Sequence, residues 1–600
     1  MSGQVIVHCP AEKRWLRFSD PIEIVSARSL VEVLPCLRRV EDQVRARQFY
    51  AAGYLAYEAA PAFDAALHVR SASRPGGVPL LWFGLYERAE PIELPAPNTG
   101  PTAWRSAGGP AGPIENWQPT VTWDEYERAI NTIKDHIAAG RTYQVNYTYR
   151  LRAPFAGDPW TFFLRLARKQ SNYAAYLDLD RWVICSASPE LFFQRNGRTV
   201  ISKPMKGTAP RGRTLADDRA QMDWLHHSEK NRAENVMIVD MIRNDLGRIA
   251  QIGSVQVPRL FEVERYPTVL QMTSTVTAQT DASFIDLMTA LFPCASITGA
   301  PKVSTMKIIA DLETTPRGVY TGAIGYLAPD TGPTAWRSGG RSAQFNVAIR
   351  TVTIDREQQS AEYGVGGGIV WDSDAADEYR ECEIKTRVLT SQPIEFELLE
   401  ALLWSPSGGY FLLDQHTARL QDSADYFGFR FDRAAWLDRL EDVRRTLPAL
   451  DHKVRVSLSR SGALSISATP LSEIARPPMQ RVALAQQPID SSDVFLYHKT
   501  SHRTVYDAAR AAHPNADEVI LWNERGEITE SCTANVVMDL NGELVTPPVE
   551  CGLLGGTFRA SLIDQGQIVE RVIPIELVRS ARRIYLINSV RRWMDAGLIE

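Results

Sequence analysis

The sequence predicts an α/β (α+β) protein in which a large first part is followed by a smaller second part. Its 600 residues are too many for a single hydrophobic core. Strand-like apolar runs alternate with helical patterns up to about residue 388, and the pattern starts afresh after the stretch at 389–394. The 206 residues of 395–600 are enough for an independent domain.

Composition narrows the class of protein. The chain is 44% hydrophobic and 23% charged, which is typical of a globular protein, and its net charge of −5 gives no reason to expect a nucleic-acid partner. No apolar run reaches the length of a membrane span, and the N-terminus lacks the pattern of a signal peptide. Seven dispersed cysteines without a CxxC pair argue against disulfides and a zinc site. We therefore expect a cytoplasmic protein that binds neither nucleic acid nor membrane.

The first part divides into an N-terminal portion, 1–115, and a catalytic portion, 116–390, because 91–119 is rich in Pro and Gly and reads as a linker or long loop. A helix is predicted at about 124–139, with Gly140 after it, and a long helix at 216–247 that ends at Gly247. Strands are predicted at Gln144–Leu151, Ala174–Leu179, Trp182–Ser186 and Leu191–Gln194.

A seven-residue repeat, Gly-Pro-Thr-Ala-Trp-Arg-Ser, occurs at 100–106 and again at 332–338. Both copies are flanked by Gly or Pro and read as loops. Two copies are too few for a repeat architecture. We interpret them as a duplicated fragment in two tolerant loops and assign them no function.

A predicted hairpin joins Glu190 to Lys206. Strand-like Leu191–Gln194 and Thr199–Ile201 flank an Asn-Gly turn, so a carboxylate and an amine are expected near one pocket. Such a pair can supply a general acid and a nucleophile, although a cross-strand salt bridge or a surface lysine is the simpler interpretation of these two residues alone. Pro204 restricts the backbone before Lys206, whereas Gly207 allows the backbone after it many conformations.

Further carboxylates and glycines accompany that pair. Glu234 shares a helical face with apolar residues, and Glu378 and Glu381 share a face with Lys385 a turn later. Carboxylates together with substrate oxygens suit Mg²⁺, whereas a solvated helix face is the alternative for each glutamate. Glycine-rich turns at 297–302 and 364–370 expose N–H groups, and Arg350 can pair with a carboxylate. The set suggests a small polyanion bound through Mg²⁺, arginine and backbone.

Six motifs in order resemble those of the chorismate-utilising enzymes. They are Ser-Pro-Glu at 188–190, Pro-Met-Lys-Gly-Thr at 204–208, Glu-Asn-Val-Met-Ile-Val-Asp at 234–240, Thr-Gly-Ala-Pro-Lys at 298–302, the glycine-rich run at 364–370, and Glu-Tyr-Arg-Glu at 378–381. The resemblance is strong over about 120–388 and weaker over 1–90. It implies a large chorismate-binding β-sandwich flanked by helices.

The resemblance also implies roles. Lysine at position 206 is typical of component I of the aminodeoxychorismate synthases, whereas anthranilate synthases carry alanine there; the latter also carry histidine where this chain has Gln271. Lys206 is then the nucleophile at C2 of chorismate, Glu190 the acid for the departing C4 hydroxyl, and Glu234 and Glu381 the Mg²⁺ ligands. The residues implied for the chorismate site are Gly207, Thr208, Thr298, Tyr320, Arg350, Gly366, Gly367, Gly368 and Lys385.

The second part carries a different set. Lys499, a later Glu530 beside small hydroxyl residues, and a Gly-Gly-Thr turn that ends at Thr557 could hold a phosphorylated aldehyde cofactor, although each is weak evidence alone. Over 396–600 the order resembles the fold-type IV enzymes that use pyridoxal 5′-phosphate (PLP). The resemblance implies that Lys499 is the Schiff-base lysine, Glu530 the partner of the ring nitrogen, and Arg419, Thr533 and Thr557 further cofactor contacts.

The two resemblances together imply a bifunctional enzyme of 4-aminobenzoate (folate) biosynthesis. The first part aminates chorismate at C4, and the PLP part, as an aminodeoxychorismate lyase, eliminates pyruvate from the product. We recognise no amidotransferase segment, so the expected ammonia donor is a separate glutamine amidotransferase subunit. A homodimer through the PLP part stays open. The alternatives are an anthranilate-type enzyme fused to a branched-chain or D-amino-acid aminotransferase-like domain, or one inactive part that serves as a scaffold.

Overall fold

A computed structural model describes residues 3–71, 76–94, 116–169, 172–329, 342–390, 394–473 and 479–599. Contacts divide the chain into two compact units: Met1–Ala209 with Trp224–Pro393, and Pro210–Asp223 with Ile394–Glu600. Both copies of the seven-residue repeat lie outside the described residues. Within the described part of the chain, no helix combines the length and apolar character needed to cross a membrane.

Two ten-stranded sheets form the first unit. The strands, in chain order, are β1 Gln4–Cys9, β2 Arg14–Phe18, β3 Glu23–Ala27, β4 Tyr50–Leu55, β5 Leu81–Tyr86, β6 Glu90–Ile92, β7 Gln118–Pro119, β8 Gln144–Pro154, β9 Tyr173–Leu179, β10 Trp182–Ser188, β11 Leu191–Asn196, β12 Thr199–Lys203, β13 Met205–Pro210, β14 Gln256–Arg265, β15 Val269–Gln279, β16 Gly299–Ala300, β17 Ala323–Ala328, β18 Ser342–Val347, β19 Thr351–Asp355 and β20 Ser360–Ile369. One sheet has the order β16-β8-β20-β19-β10-β9-β1-β2-β6, with β7 on β8. The other has the order β13-β15-β12-β11-β18-β17-β4-β5-β3, with β14 on β15.

Among the described residues, seven α-helices accompany these sheets: α1 Leu30–Arg47, α2 Trp123–Ala138, α3 Pro159–Lys169, α5 Glu229–Gly247, α6 Phe284–Leu291, α7 Lys302–Leu312 and α8 Ala375–Thr390. A further helix, α4 Leu215–His227, begins in the segment 210–223 that belongs to the second unit. The two sheets share a core in which Phe18 of β2 lies 5.8 Å, centroid to centroid, from Tyr326 of β17. Residues of α1, α5 and α6 pack on the second sheet, and residues of α2, α3 and α8 pack on the first. The predicted β-sandwich flanked by helices is confirmed.

Strands from before and after residue 116 share both sheets. β1 pairs with β9 in one sheet, and β4 pairs with β17 in the other. The contacts therefore group the predicted portions 1–115 and 116–390 in one compact unit. Their division stays a prediction from composition alone.

The structure corrects two sequence expectations. The predicted long helix at 216–247 is two helices, because Ser228 adopts an extended backbone conformation and its hydroxyl accepts a hydrogen bond from Asn231 N, which starts α5 afresh. The glycine-rich run at 364–370, predicted as a turn, lies largely within β20, where Gly366 is opposite Thr148. Space explains these glycines: a Cβ at Gly366 would lie 2.1 Å from the Tyr147 carbonyl oxygen, and one at Gly364 would lie 2.2 Å from the Tyr320 ring.

The second unit contains a four-stranded and an eight-stranded sheet. Its strands are β21 Leu398–Ser405, β22 Gly409–Tyr410, β23 His452–Leu458, β24 Leu464–Pro470, β25 Gln480–Leu484, β26 Glu518–Trp522, β27 Ile528–Ser531, β28 Asn535–Leu540, β29 Glu543–Thr546, β30 Val569–Glu570, β31 Arg583–Asn588 and β32 Arg592–Leu598. Its helices are α9 Leu413–Phe427, α10 Arg433–Thr446, α11 Thr504–Ala512 and α12 Thr557–Asp564. The sheet orders are β22-β21-β23-β24 and β27-β26-β25-β32-β31-β28-β29-β30.

The segment 210–223 belongs to this second unit. Tyr426 of α9 donates its hydroxyl hydrogen to the Gly212 carbonyl over 2.6 Å, and the Arg211 guanidinium lies 4.4 Å from the Tyr426 ring. The ring of His498 contacts the Arg213 carbonyl through Nε2 at 3.1 Å. The segment is therefore held by the residue that immediately precedes Lys499.

Candidate active sites

Three elements meet at the amine of Lys206 in the first unit. Lys206 lies on β13, and its Nζ is 3.8 Å from Glu234 Oε2 on α5. A Cβ placed on Gly368 of β20 would lie 2.3 Å from that Nζ, so the amine rests directly on the glycine backbone. The side chain is only 15% exposed, and the structure thus places Lys206 in a recess rather than on the surface.

Glu190 lies beside this recess, between β10 and β11, and is 3% exposed. The Ser296 hydroxyl donates to Glu190 Oε1 over 2.6 Å, and the backbone N–H of Met205 donates to the same carboxyl group. Burial raises the pKa of Glu190 to about 7, and these hydrogen bonds and the Lys206 charge only partly oppose that rise. The group therefore keeps a proton near neutral pH and is able to act as an acid.

Side chains of neighbouring elements hold the lysine strand in place. Asn235 Nδ2 on α5 donates to the Lys206 carbonyl over 3.2 Å. Gln271 Nε2 on β15 donates to the Gly207 carbonyl over 2.9 Å, and its Oε1 accepts from Thr208 Oγ1 at 3.2 Å. Gln271, which replaces the histidine of anthranilate synthases, is thus bonded to the motif that contains the lysine. Gly207 itself has φ +100°, a conformation that favours glycine.

The predicted Mg²⁺ ligands face the same recess from two helices. Glu381 on α8 lies 2.8 Å from Lys385 Nζ, which lowers the pKa of Glu381, and Lys385 also donates to the Gly366 carbonyl over 2.9 Å. The charge of Lys206 also lowers the pKa of Glu381. The described residues include no group of three or more Asp, Glu, His or Cys side chains arranged for a metal. Two carboxylates suit Mg²⁺ only if substrate oxygens or water complete the shell.

Arg350 offers an unused donor. It follows β18, and its Nη1 is buried and has no hydrogen-bond partner among the described residues. Burial lowers the pKa of this guanidinium because it disfavours the charged form. A ligand carboxylate that paired with Arg350 would offset this cost of burying the charge. Two more residues predicted for the chorismate site, Thr298 and Tyr320, have partners within the protein. Thr298 Oγ1 donates to the Ala295 carbonyl over 3.1 Å, and the Tyr320 ring packs on Gly364.

Gln144 is a site residue that sequence reasoning missed. Its side chain is fully buried at the start of β8, and neither its Nε2 nor its Oε1 has a hydrogen-bond partner among the described residues. A Cβ on Gly368 would lie 2.3 Å from both Gln144 Nε2 and Lys206 Nζ, so the two groups share one surface. An unsatisfied buried amide is costly, and a bound ligand would satisfy it. The signal in the sequence is weak, since Gln144 is one of several polar residues in a strand-like run.

A cavity of about 600 Å³ lies in the second unit, and it is large enough for a cofactor and a small substrate. All five residues that the sequence predicts for the cofactor site line it: Arg419, Lys499, Glu530, Thr533 and Thr557. Gly556 lies on its wall, where a Cβ would come within 2.0 Å of Asn535 Oδ1, so the turn before α12 requires glycine. The residues that line this cavity therefore fit those expected to hold PLP.

Burial adjusts both key ionisable groups of this cavity. It lowers the pKa of Lys499 to about 8, with a further contribution from the Arg419 charge. It raises the pKa of Glu530 to about 7, while Tyr506 Oη donates to Glu530 Oε1 over 2.7 Å and Leu554 N donates over 3.2 Å. A lysine that is partly neutral near physiological pH can bond an aldehyde and move a proton.

Hydrogen bonds to carboxylates hold two of the other predicted cofactor residues, Arg419 and Thr533, in place. Arg419 donates through Nε and Nη2 to Glu400 at 2.9 and 2.7 Å. The Thr533 hydroxyl donates to Glu518 Oε1 over 2.5 Å. Its hydrogen is therefore already used, and the side chain lines the cavity without offering that donor to a ligand. Glu400 was missed by sequence reasoning, although a single carboxylate inside the apolar run of β21 is a visible signal.

Cations outnumber carboxylates around the rest of the cavity. Its lining includes Lys453, Arg455, Arg503 and Arg591. Burial lowers the pKa of Lys453, and the charges of Arg455 and Arg591 lower it further, which shows that these three cations lie close together. Like charges gathered in a cavity suit a ligand with more than one carboxylate.

Comparisons with known proteins cover both parts of the chain. Residues 3–391 match the family model of the chorismate binding enzymes, and residues 397–599 match that of amino-transferase class IV. The first match spans more than half of the chain, and the chain therefore belongs to the chorismate binding enzyme family.

Two relatives and one solved structure illustrate the match. Aminodeoxychorismate synthase component 1 of Salmonella typhimurium is 35% identical over 390 residues, which are 62% of this chain and 82% of that protein. Aminodeoxychorismate synthase of Streptomyces griseus is 44% identical over 44% of this chain and 36% of its own length. Anthranilate synthase component I of Streptococcus pneumoniae is 25% identical with a TM-score of 0.52, over 63% of this chain and 92% of that one. Three of the curated relatives are matched over only 36 to 59% of their length.

Proposed function

We propose that this chain makes 4-aminobenzoate from chorismate in two steps, amination at C4 in the first unit and elimination of pyruvate in the second. The observation that carries the proposal is the enclosed Lys206 amine beside the buried, proton-holding Glu190. Relatives named aminodeoxychorismate synthase support it, as does the match of 397–599 to amino-transferase class IV.

In the first step the chain supplies a nucleophile and an acid. Lys206 attacks C2 of chorismate, both ring double bonds shift towards C4, and Glu190 gives its proton to the C4 hydroxyl, which leaves as water. Ammonia then adds at C4 and the Lys206 amine departs from C2, so lysine is regenerated. Arg350 pairs with a substrate carboxylate, and Glu234 and Glu381 hold Mg²⁺ against the substrate.

In the second step the chain positions a cofactor and moves a proton. PLP, when bound, withdraws electrons from the carbon that bears the amino group. Lys499 removes the proton from C4 of the substrate, and Glu530 would hold the cofactor through its ring nitrogen. The cations Lys453, Arg455 and Arg591 meet the substrate carboxylates. Loss of the enolpyruvyl group then leaves an aromatic ring, which favours the step.

Ammonia comes from a separate glutamine amidotransferase subunit in this proposal. The support is the relationship to proteins named component 1, which implies a second component. Free ammonium at high concentration is expected to replace that subunit.

The test uses the intact chain with chorismate, Mg²⁺, PLP and ammonium, and the expected product is 4-aminobenzoate. Two variants separate the steps. Lys206→Ala should make no product from chorismate but should still convert supplied 4-amino-4-deoxychorismate, whereas Lys499→Ala should accumulate that compound. Formation of anthranilate, or full amination by Lys206→Ala, would contradict the proposal.

A further inference from the structure

A chain of three hydrogen-bonded side chains lies behind the cofactor cavity. Glu400 of β21 contacts His416 of α9, with Oε2 and Nδ1 2.7 Å apart. His416 Nε2 in turn lies 3.2 Å from the Thr557 hydroxyl at the start of α12. The side chains of Glu400 and His416 are at most 1% exposed, and Thr557, which is 5% exposed, lines the cavity. The chain therefore links a buried carboxylate to the cavity wall.

The protons in this chain follow from its partners. Although burial opposes ionisation, the charge of Arg419 and the hydrogen bonds from His416 and Arg419 lower the pKa of Glu400 to about 2, so this group is a carboxylate that only accepts. His416 Nδ1 must then carry a hydrogen. When the ring is neutral, Nε2 has a lone pair and accepts the hydroxyl hydrogen of Thr557. The Thr557 oxygen then presents only lone pairs to the cavity, which is the wrong polarity for a phosphate group.

The charges around His416 favour the neutral ring in the protein alone. Burial lowers the pKa of His416, and the nearby cations Arg419 and Lys499 lower it further, while Glu400 raises it. A phosphate dianion beside Thr557 and Arg419 would add two negative charges to that balance. Opposite charge nearby favours a protonated imidazole.

We propose that binding of a phosphate group in this cavity is coupled to uptake of one proton by His416. The proton comes from solvent and is placed on Nε2, which becomes a donor to Thr557 Oγ1. The Thr557 hydroxyl hydrogen is thereby released and points to a phosphate oxygen. Glu400 and His416 are positioning residues that do not touch the ligand. The inference rests on the proposed function only in taking the cavity to bind a phosphorylated cofactor.

Pyridoxine 5′-phosphate is the probe, because it lacks the aldehyde and cannot bond to Lys499. At about pH 7.5 its phosphate is already a dianion, since the second pKa of such a group is about 6. Titration calorimetry of the cofactor-free chain in two buffers of different ionisation enthalpy counts the protons exchanged. We expect uptake of about one proton with the wild type. The same titration with pyridoxine, which has no phosphate, should show none.

Variants and a spectroscopic measurement identify the group. His416→Gln should bind the probe more weakly and take up no proton, while His513→Gln, a histidine outside the cavity lining, should behave as wild type. In the wild type, the ¹⁵N signal of His416 Nε2 should move from the unprotonated to the protonated range on addition of the probe, which does not depend on a variant's folding. Uptake that persists in His416→Gln would assign the proton to Lys499 and overturn the inference. Binding of the probe without uptake of a proton would overturn this inference alone. If the probe does not bind, the proposed cofactor is contradicted as well.

Discussion

In the proposed amination, a single carboxyl group, Glu190, supplies the proton, and its ionisation sets the pH range of that step. It is 3% exposed, accepts from Ser296 Oγ at 2.6 Å, and has a pKa raised to about 7 by burial. A raised pKa means that the proton is present below about pH 7 and is lost above it. The acid form is the one that protonates a departing hydroxyl.

The first prediction concerns this proton. At a constant concentration of unprotonated ammonia, the amination rate should be high below about pH 7 and fall as pH rises through that value. Glu190→Gln should lower the rate by about 100-fold or more, the usual contribution of a positioned acid, and should abolish the pH-dependent fall. Lyase activity on supplied 4-amino-4-deoxychorismate is the internal control and should not change. An unaltered amination profile in the variant would exclude Glu190 as the acid.

Arg350 is a second residue whose proposed role can be tested by a single substitution. Its Nη1 is buried and has no hydrogen-bond partner among the described residues. Arg350→Met should raise the KM for chorismate by roughly 10- to 100-fold, since a hydrogen bond to a charged group is worth about 1.5–3 kcal/mol, with a smaller effect on kcat. Arg198→Met, which removes an exposed guanidinium, should leave both constants unchanged. Equal effects of the two variants would refute the assignment.

At the scale of elements, the glycines of β20 set the shape of the first site. The backbone of Gly368 supports the Lys206 amine and the Gln144 amide, each 2.3 Å from where a Cβ would lie. Gly366 and Gly364 let the strand approach Tyr147 and Tyr320 closely. A strand without side chains at these positions thus forms the floor of the recess.

The third prediction tests that floor. Gly368→Ala should displace the Lys206 amine and lower amination strongly, because the new methyl group would occupy the amine's place while the lysine side chain can swing away. Gly247→Ala is the matched control, since nothing lies within 4 Å of a Cβ there. Amination rates, with circular dichroism to check folding, distinguish the two. Normal amination by Gly368→Ala would show that the amine works from elsewhere.

Sequence reasoning located elements well and contacts poorly. The hairpin between Glu190 and Lys206 and the helix that carries Glu381 were predicted, because strand periodicity, an Asn-Gly turn and helical spacing are local signals. The break at Ser228 was missed because neither Pro nor Gly marks it, and a side-chain cap alone restarts the helix. Gln144 and Glu400 were missed because their importance depends on groups from other elements: the strands that carry Lys206 and Gly368 for Gln144, and helix α9 for Glu400.

At the scale of the whole molecule, buried ion pairs join the two sheets of the first unit to their loops. Arg317, with a side chain 1% exposed, donates to Glu313 Oε1 at 2.7 Å and to the carbonyls of Asn146 and Ile297 at 2.7 and 2.8 Å. Its guanidinium also lies 4.5 Å from the Tyr57 ring. Removing it would take from the buried Glu313 carboxylate its closest cation and leave Thr148 and the more distant Arg150 as partners.

The fourth prediction follows from that network. Arg317→Met should destabilise the first unit by about 3–5 kcal/mol, the usual cost of breaking a buried pair. Arg445→Met, at a 67% exposed side chain in the second unit, should change stability little. Hydrogen exchange resolved by peptide is the measurement: protection should fall in peptides of β8 and β17 and persist in peptides of β28 and β31. Uniform loss over both units would show that the two unfold together.

The segment 210–223 gives the chain a property that its two family matches do not suggest. Those matches meet between residues 391 and 397, as if one gene had simply been placed after another. The second compact unit nevertheless includes a piece of the first match, held by Tyr426 and His498. Gene fission at that junction would deprive each product of partners it uses here. The second unit is therefore built from two separate stretches of the chain, and a cut at the junction would divide it.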